Sequence, residues 1–297
     1  MGKSRQRVQK AYGTKIMKKT GAHLGQHFLR SASAVAAMIP AARIDAETTV
    51  LEIGPGEGVL TRELLLHAKR VIAIEKDSAL VMQLRETFTR DIEEKRLVLI
   101  EDDFRNVDII SVIGSAAEID AVHEGADKET ARLDGFSYVV AANIPYYITG
   151  EIIRVLLTSL HQPRHIALLI QKEVATRIVA RDGKESILSL SVKAYGSPRV
   201  VKSVPRGSFS PPPSVDSAII AIEDISRDFF KGIDEVRFFE IIKAAFSSKR
   251  KMLAGNLKAI ASAEDIATAC ASCGIEANAR AEDVPLLKWG CLARNLK

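Results

Sequence analysis

The sequence predicts an α/β fold: a mostly parallel β-sheet with helices on both faces, followed by a smaller all-helical domain. Up to about residue 225, short segments rich in β-branched residues alternate with amphipathic segments of helical period. Beyond about residue 234, only the helical period remains. Strands that alternate with helices through short connections lie parallel in one sheet, because each helix carries the chain back across it.

The individual elements follow from the same patterns. The glycine-rich segment from Gly54 to Gly58 follows the first clear strand and precedes a helix. Thr149 is expected to cap the helix that follows Asn143. Strands are predicted over residues 49–53, 71–75, 97–100, 136–142, 166–170, 187–194 and 217–222, and helices over residues 31–40, 59–69, 78–89, 151–160 and 172–180.

Composition divides the chain into a basic N-terminal arm (1–23), the α/β domain (24–226) and the helical domain (233–297). The first 30 residues carry eight basic residues and no acidic one, which suits contact with phosphates. A disordered solubilising tail or an organelle transit peptide has a similar composition. Residues 115–135 hold six acidic and two basic residues, and are predicted to form an exposed loop insertion.

The totals exclude several classes of protein. The chain has 297 residues, 47% of them apolar and 27% charged, with a net charge of +5, as in an ordinary soluble protein. No apolar run could span a bilayer and no signal-peptide core follows the start, so we expect a cytoplasmic protein without membrane contact. The cysteines Cys270, Cys273 and Cys291 are expected to be free thiols, and a redox pair of Cys270 with Cys273 is the alternative. No metal site is expected, because a structural zinc site needs four ligands and every histidine lies at or before His165.

The segment Asn143-Ile144-Pro145-Tyr146 is the strongest candidate for a functional loop. It follows a predicted strand, and ligands bind at the carboxyl ends of strands in open α/β sheets. Asn143 offers an amide oxygen, Pro145 stiffens the backbone, and Tyr146 offers a flat face. An acceptor, a rigid backbone and a stacking surface suit a planar amino group such as that of a nucleobase. An ordinary Asn-x-Pro turn is the alternative.

Polar groups at three neighbouring strand ends indicate a nucleoside ligand. Gly54 and Gly56 permit close approach to the backbone at a helix N-terminus. Glu75 ends the next strand, where an acid can accept ribose hydroxyls, and Asp103 follows the third, where it can accept an adenine amine. These carboxylates would repel a polyphosphate. A dinucleotide site, as in a dehydrogenase, is disfavoured because Val59 stands where the third small residue is needed.

Together these motifs resemble the S-adenosylmethionine-dependent ribosomal RNA adenine-N6 dimethyltransferases. The resemblance covers residues 24–257, in order and at the family's spacing. It rests on Gly25-Gln-His-Phe-Leu29, Leu51-Glu-Ile-Gly-Pro-Gly56, Glu75, Asp103, Asn143-Ile-Pro-Tyr146, Phe209-Ser-Pro-Pro-Pro-Ser-Val-Asp-Ser217 and Ala245-Phe-Ser-Ser-Lys-Arg-Lys-Met-Leu-Ala-Gly-Asn-Leu257. It implies a Rossmann-like methyltransferase sheet. Two departures are Tyr147, where the small-subunit branch often has Asn or Gln, and the acidic insertion at 115–135.

The resemblance also implies the roles of individual residues. S-adenosylmethionine would be held by His27, Leu29, Gly54, Gly56, Glu75, Asp103 and Asn143. The target adenine would be held by Asn143, Ile144, Pro145 and Tyr146, with Phe209 packed against it. The basic arm and the expected helix bearing Lys249, Arg250 and Lys251 are candidates for RNA binding, although a solvated charged face has the same composition.

One branch of the family modifies two adjacent adenines near the 3′ end of small-subunit RNA, and the other modifies a large-subunit adenine and confers macrolide resistance. The triple proline after Phe209, the Ser-Lys-Arg-Lys segment and the sizeable C-terminal domain favour the first. The expected partner is therefore the small ribosomal subunit, with the protein a monomer when off the ribosome. A non-catalytic assembly factor is a further alternative, against which the intact Asn143 motif argues.

Overall fold

A computed structural model describes residues 27–115, 136–248 and 250–296. The arm at 1–23, most of the insertion predicted at 115–135, and Lys249 lie outside the described residues. The strands are β1 (Phe28–Leu29), β2 (Thr49–Ile53), β3 (Arg70–Glu75), β4 (Leu97–Glu101), β5 (Tyr138–Asn143), β6 (Ile166–Gln171), β7 (Ser197–Val204), β8 (Phe209–Ser210) and β9 (Ser217–Glu223).

Helices connect these strands in the α/β part. They are α1 (Ala32–Ala41), α2 (Val59–His67), α3 (Ser78–Thr87), α4 (Thr89–Glu93), α5 (residues 109–115), α6 (Thr149–Thr158), α7 (Lys172–Val179) and α8 (Ile187–Lys193). The C-terminal helices are α9 (Glu235–Ala245), α10 (Leu253–Leu257), α11 (Ala263–Ser272) and α12 (Leu286–Asn295). No helix in these described ranges is both long enough and apolar enough to traverse a lipid bilayer.

Seven strands form the main sheet, in the order β4-β3-β2-β5-β6-β9-β7. The first five run parallel, whereas β9 is antiparallel to both β6 and β7. The interior strand β2 is buried along its whole length, as expected for a strand covered on both faces. Short β1 and β8 pair separately, with Leu29 opposite Phe209, and so bring the His27 and Phe209 segments together. The predicted α/β class is confirmed.

The prediction of a strand over residues 187–194 is wrong, because this segment forms helix α8. Ser186 and Ser189 make a capping box, in which each hydroxyl accepts the other residue's backbone N–H, over 3.1 and 2.7 Å. That reciprocal cap satisfies two free amides at the helix start. The strand at this edge is β7, which begins at Ser197.

Two smaller local predictions are also wrong. Thr149 is the first residue of α6 and not its cap: its hydroxyl donates to the Tyr146 carbonyl over 3.1 Å. A 3-10 turn at Tyr146–Ile148 leads directly into the helix, so no side-chain cap is used. Arg250 and Lys251 lie in the connection between α9 and α10, not in a helix. Asn256 of α10 donates through Nδ2 to the carbonyls of Ala245 and Ser248, over 2.6 and 2.9 Å, and so fixes this connection.

The C-terminal helices pack on one hydrophobic core that continues into the sheet. This core includes Phe238 and Trp289 of the helices together with Leu51 and Ile166 of the sheet. A disulfide joins Cys273, just after α11, to Cys291 of α12, so the expectation of free thiols is wrong for this pair. Packing of α11 against α12 brings together two cysteines that are 18 residues apart. Cys270 is a buried free thiol.

Candidate active site

The candidate site lies where the chain reverses its direction across the sheet. From β2 the chain moves outward to β3 and β4, then returns to β5 on the other side of β2 and continues to β6. Such a reversal leaves a crevice at the carboxyl ends of the two neighbouring strands. A cavity of about 830 Å³ occupies this position. It is large enough for a nucleoside-sized ligand.

Every residue predicted to bind the cofactor or the target base lines this cavity. These residues are His27, Leu29, Gly54, Gly56, Glu75, Asp103, Asn143, Ile144, Pro145, Tyr146 and Phe209. The predicted RNA-binding residues are elsewhere: Arg250 and Lys251 are exposed in the connection after α9, and Lys249 lies outside the described residues. The fold therefore places the residues predicted to bind the cofactor and those predicted to bind the target base around one cavity. Arg250 and Lys251 do not line it.

The glycine-rich loop after β2 forms one wall. Gly54 and Gly56 have φ angles of 69° and 59°, in the left-handed region that favours glycine. A Cβ atom on Gly56 would lie 3.2 Å from the Phe28 ring, and one on Gly54 would lie 3.9 Å from the Asn143 carbonyl oxygen. The loop thus lies close to both the His27 segment and the end of β5. Side chains at Gly54 and Gly56 would fill the space beside the loop.

The Glu75 carboxylate is held in place by backbone groups at the end of β3. Its Oε2 accepts the N–H of Gly56 over 3.1 Å, and its Oε1 accepts those of Lys76 and Asp77 over 2.9 and 3.0 Å. Only 5% of the residue is exposed. A buried carboxylate with three amide donors is fixed in direction, and it retains one acceptor position for a ligand hydroxyl.

Asp103 is paired with Arg105. Its Oδ1 accepts the Arg105 backbone N–H and Nε–H, and its Oδ2 accepts Nη2–H over 2.6 Å. Hydrogen bonds from Arg105 lower the pKa of Asp103 to about 2, so the carboxylate is ionised at neutral pH. Three of its four acceptor positions are taken, and the fourth, on Oδ2, remains for an amino group.

A second buried carboxyl, Glu52 of β2, also lines the cavity. It accepts the Thr61 hydroxyl over 2.7 Å and is 1% exposed. Burial, opposed by the Thr61 hydrogen bond and assisted by the charge of Glu75, raises the pKa of Glu52 to about 8. Because Glu52 stays largely protonated at neutral pH, the inner wall of the cavity carries one negative charge fewer than the sequence indicates.

Asn143 closes the cavity at the end of β5. Its Nδ2 donates to the His27 carbonyl over 3.5 Å, which leaves the amide oxygen as the acceptor offered to the cavity. The carbonyl of Pro145 accepts the N–H of Ile148 over 3.3 Å. Among the described residues, no backbone amide donates to the carbonyl of Ile144. Of the carbonyls of Ile144 and Pro145, that of Ile144 is therefore the one without a backbone donor in the described part of the chain.

Aromatic groups form a further part of the cavity wall. The Tyr146 hydroxyl bonds to that of Ser217 over 2.7 Å, and its ring stacks on His27, with ring centres 6.2 Å apart and planes at 28°. Nδ1 of His27 donates to the carbonyl of Pro211, over 2.8 Å. Phe209 is only 4% exposed and belongs to the core, so little of its side chain is open to solvent.

Sequence reasoning assigned no role to several lining residues, among them Phe28, Glu52 and Lys76, and noted Tyr147 only as a departure from the family pattern. Phe28 and Glu52 lie inside the motifs quoted above, where their apolar neighbours gave no reason to single them out. Lys76 directly follows Glu75, and Tyr147 directly follows the Asn143 motif. For both, the available signal was their position next to a residue already predicted to bind a ligand.

Comparison with known proteins gives this cavity its chemical class. The sequence profile of the family described as ribosomal RNA adenine dimethylase matches residues 17–296. The chain belongs to that family. It is therefore a methyltransferase that uses a methyl donor, as the resemblance implied, and the fold is that of a Rossmann-like methyltransferase.

Individual relatives agree with this assignment. A ribosomal RNA small subunit methyltransferase A from Dehalococcoides mccartyi is 36% identical over 271 residues, which are 90% of this chain and 84% of the relative. A dimethyladenosine transferase from Plasmodium falciparum has a similar structure, with a TM-score of 0.68 and 25% identity over 90% of this chain and 96% of its own. The 23S rRNA methyltransferase ErmE shares the fold, with a TM-score of 0.65 and 23% identity over 91% of this chain and 99% of its own.

Proposed function

We propose that this protein transfers methyl groups to N6 of two adjacent adenines near the 3′ end of small-subunit (16S) ribosomal RNA. The products are N6,N6-dimethyladenosines, formed in the cytoplasm during assembly of the small subunit. The observation that carries the proposal is the Asn143–Tyr146 turn, which borders the same cavity as the carboxylates of Glu75 and Asp103, in a member of the adenine dimethylase family.

The proposed methyl donor is S-adenosylmethionine, which supplies an electrophilic methyl group on a sulfonium. The residues present fit it. Glu75 accepts ribose hydroxyls, and Asp103 accepts the adenine amine of the donor through its remaining acceptor position. Gly54 and Gly56 form the backbone cradle, with His27 and Leu29 beside them. The carboxylates would repel the phosphates of a dinucleotide, whereas an adenosine without phosphates meets only acceptors.

Asn143 and Ile144 are proposed to act on the target amine. The lone pair of adenine N6 is delocalised into the ring, which makes the amine a poor nucleophile. If the Asn143 amide oxygen and the Ile144 carbonyl accept its two hydrogens, the nitrogen can become tetrahedral with its lone pair directed at the methyl group. Pro145 holds the backbone between them rigid. An amide is no general base, so the proton passes to water after the nitrogen has become cationic.

Tyr146 and Phe209 are proposed to hold the flipped base. The Tyr146 ring is fixed by Ser217 on one side and His27 on the other, and a fixed ring loses little entropy when a base stacks on it. Because Phe209 is buried, it is proposed to pack against the base, and Tyr146 is proposed to supply the stacking face.

The rest of the RNA is proposed to meet basic surface outside the cavity. The candidates are the N-terminal arm (1–23) and Lys249, Arg250 and Lys251. The division into a catalytic domain (24–226) and an RNA-binding helical domain (233–297) belongs to the same proposal. Off the ribosome the protein is proposed to be a monomer. A site for one base needs this wider surface, because most of the affinity for a structured RNA comes from phosphate contacts.

The function is tested with ribosomal subunits from cells that lack the modification. The protein is incubated with S-adenosylmethionine carrying a labelled methyl group and with unmodified small subunits, mature small subunits or large subunits. We expect label only in unmodified small subunits. Label confined to large subunits would point to a 23S methyltransferase, and no label in any subunit would point to a non-catalytic assembly factor.

A further inference from the structure

Tyr147 is the neighbour of Tyr146 in the chain, but its ring is placed very differently. It is 71% exposed, whereas the other tyrosines of the described residues are buried or half-buried. Both Tyr146 and Tyr147 line the cavity. In a 3-10 turn successive side chains point about 120° apart, so one ring faces inward and the next stands at the mouth.

The exposed ring is tethered by a cation. Nζ of Lys76 donates to the Tyr147 hydroxyl over 3.3 Å, and Lys76 is itself exposed and lines the cavity. Arg105 is also near enough for its charge to interact with Tyr147, although Asp103 already pairs with that guanidinium. The rim of the cavity therefore carries an aromatic face next to an ammonium group that donates to its hydroxyl.

We infer that Tyr147 and Lys76 bind the nucleotide next to the target adenine. The Tyr147 ring stacks on the base that is not in the cavity, and the Lys76 ammonium binds the phosphate between the two nucleotides. This inference rests on the proposed function. A substrate with two adjacent target adenines needs a place for whichever adenine is not reacting. A flat ring is suitable, because it stacks on a base before and after methylation.

The first measurement is equilibrium binding of a short single-stranded RNA with two adjacent adenines, one replaced by the fluorescent base 2-aminopurine. With the 2-aminopurine at the adenine next to the target, wild-type protein and Tyr147→Phe should quench it by stacking. Tyr147→Ala should not, and its affinity should fall about 5- to 150-fold, as expected for one base–aromatic stack of roughly 1–3 kcal/mol. Lys76→Ala should retain the quenching but show a smaller dependence of affinity on salt.

The second measurement is the methylation state of each adenine in unmodified small subunits, followed by mass spectrometry. Tyr147→Ala should lower the rate of dimethylation of the pair by a larger factor than it lowers the affinity for S-adenosylmethionine. Leu160→Ala, at an 88% exposed position outside the cavity, should match wild type. Quenching and affinity unchanged in Tyr147→Ala would overturn the inference. If wild-type protein modifies no small subunit, the proposed function fails, and the fluorescence result still decides whether Tyr147 stacks on a base.

Discussion

The Asn143 side chain donates through Nδ2 to the main-chain oxygen of His27 over 3.5 Å. This contact sets the orientation of the amide, with nitrogen toward the β1 segment and oxygen toward the cavity. Because β1 pairs with β8, the same contact links the cofactor wall to the Phe209 loop. The proposed acceptor for the target amine is thus positioned by a segment more than a hundred residues away in the chain.

Replacement of Asn143 by alanine should remove methyl transfer without unfolding the protein. Loss of one positioned polar group at a reacting atom costs about 10²- to 10³-fold in rate. Asn143 is half-buried at a strand end with a single long hydrogen bond, so the melting temperature should change little. Labelled-methyl incorporation and thermal unfolding measure the two effects. Asn106→Ala, an exposed amide outside the cavity, is the control and should retain full activity.

Tyr146 should contribute through its ring more than through its hydroxyl. Tyr146→Ala removes the stacking face and should lower kcat/KM for RNA by about 5- to 150-fold, from a stacking free energy of roughly 1–3 kcal/mol. Tyr146→Phe loses only the hydrogen bond with Ser217 and should stay within a few-fold of wild type. Steady-state kinetics with unmodified small subunits compares them. Equal turnover in Tyr146→Ala and wild type would argue against stacking.

Glu52 should make stability depend on pH. Its pKa is about 8 in the folded protein, against an ordinary value of 4.5, so the folded state holds the proton more tightly than the unfolded state does. The favourable contribution is complete below about pH 4.5 and is lost as pH rises through about 8. Glu52→Gln keeps an acceptor for Thr61 but does not titrate. Denaturant unfolding should show wild type losing stability relative to Glu52→Gln between pH 5 and 8, and parallel curves would contradict a raised pKa.

Gly58 should not tolerate a side chain. Its φ angle is 77°, and a Cβ atom would lie 2.6 Å from Cε2 of Phe88 and 2.9 Å from Cδ2 of Leu84. Gly58→Ala should therefore destabilise the fold by about 1–3 kcal/mol through backbone strain and overpacking. The matched control is Gly150→Ala in α6, where a Cβ atom would meet nothing within 4 Å. It should be neutral or stabilising by up to about 1 kcal/mol, because alanine favours helix. Chemical denaturation of both variants makes the comparison.

The sequence was sufficient for features that depend on local pattern. Thr49–Ile53 and Ile166–Gln171 are short, mostly apolar runs bounded by turns, and both form buried strands. The residues expected at the site could also be placed together, because parallel strands end at a common edge of the sheet. Residues 187–194 were misassigned because the segment is apolar enough for either period, and its outcome depends on the Ser186–Ser189 cap.

Other features depend on contacts between distant segments. Nothing local to Cys273 indicates Cys291 as its partner, since the pairing follows from the packing of α11 on α12. The raised pKa of Glu52 comes from burial in an interior strand, and one of the three amides that fix the Glu75 carboxylate comes from Gly56, 19 residues earlier. Such properties follow only from the tertiary structure.

The most direct test of the central claim is a map of N6,N6-dimethyladenosine in ribosomal RNA. Unmodified small and large subunits are incubated with S-adenosylmethionine and either wild-type protein or Asn143→Ala, and modified nucleotides are located by mass spectrometry of RNA fragments. We expect wild-type protein to produce dimethyladenosine at two adjacent adenines near the 3′ end of the small-subunit RNA, and Asn143→Ala to produce it about 10²- to 10³-fold more slowly. Dimethyladenosine in large-subunit RNA alone, or equal modification by Asn143→Ala, would contradict the account.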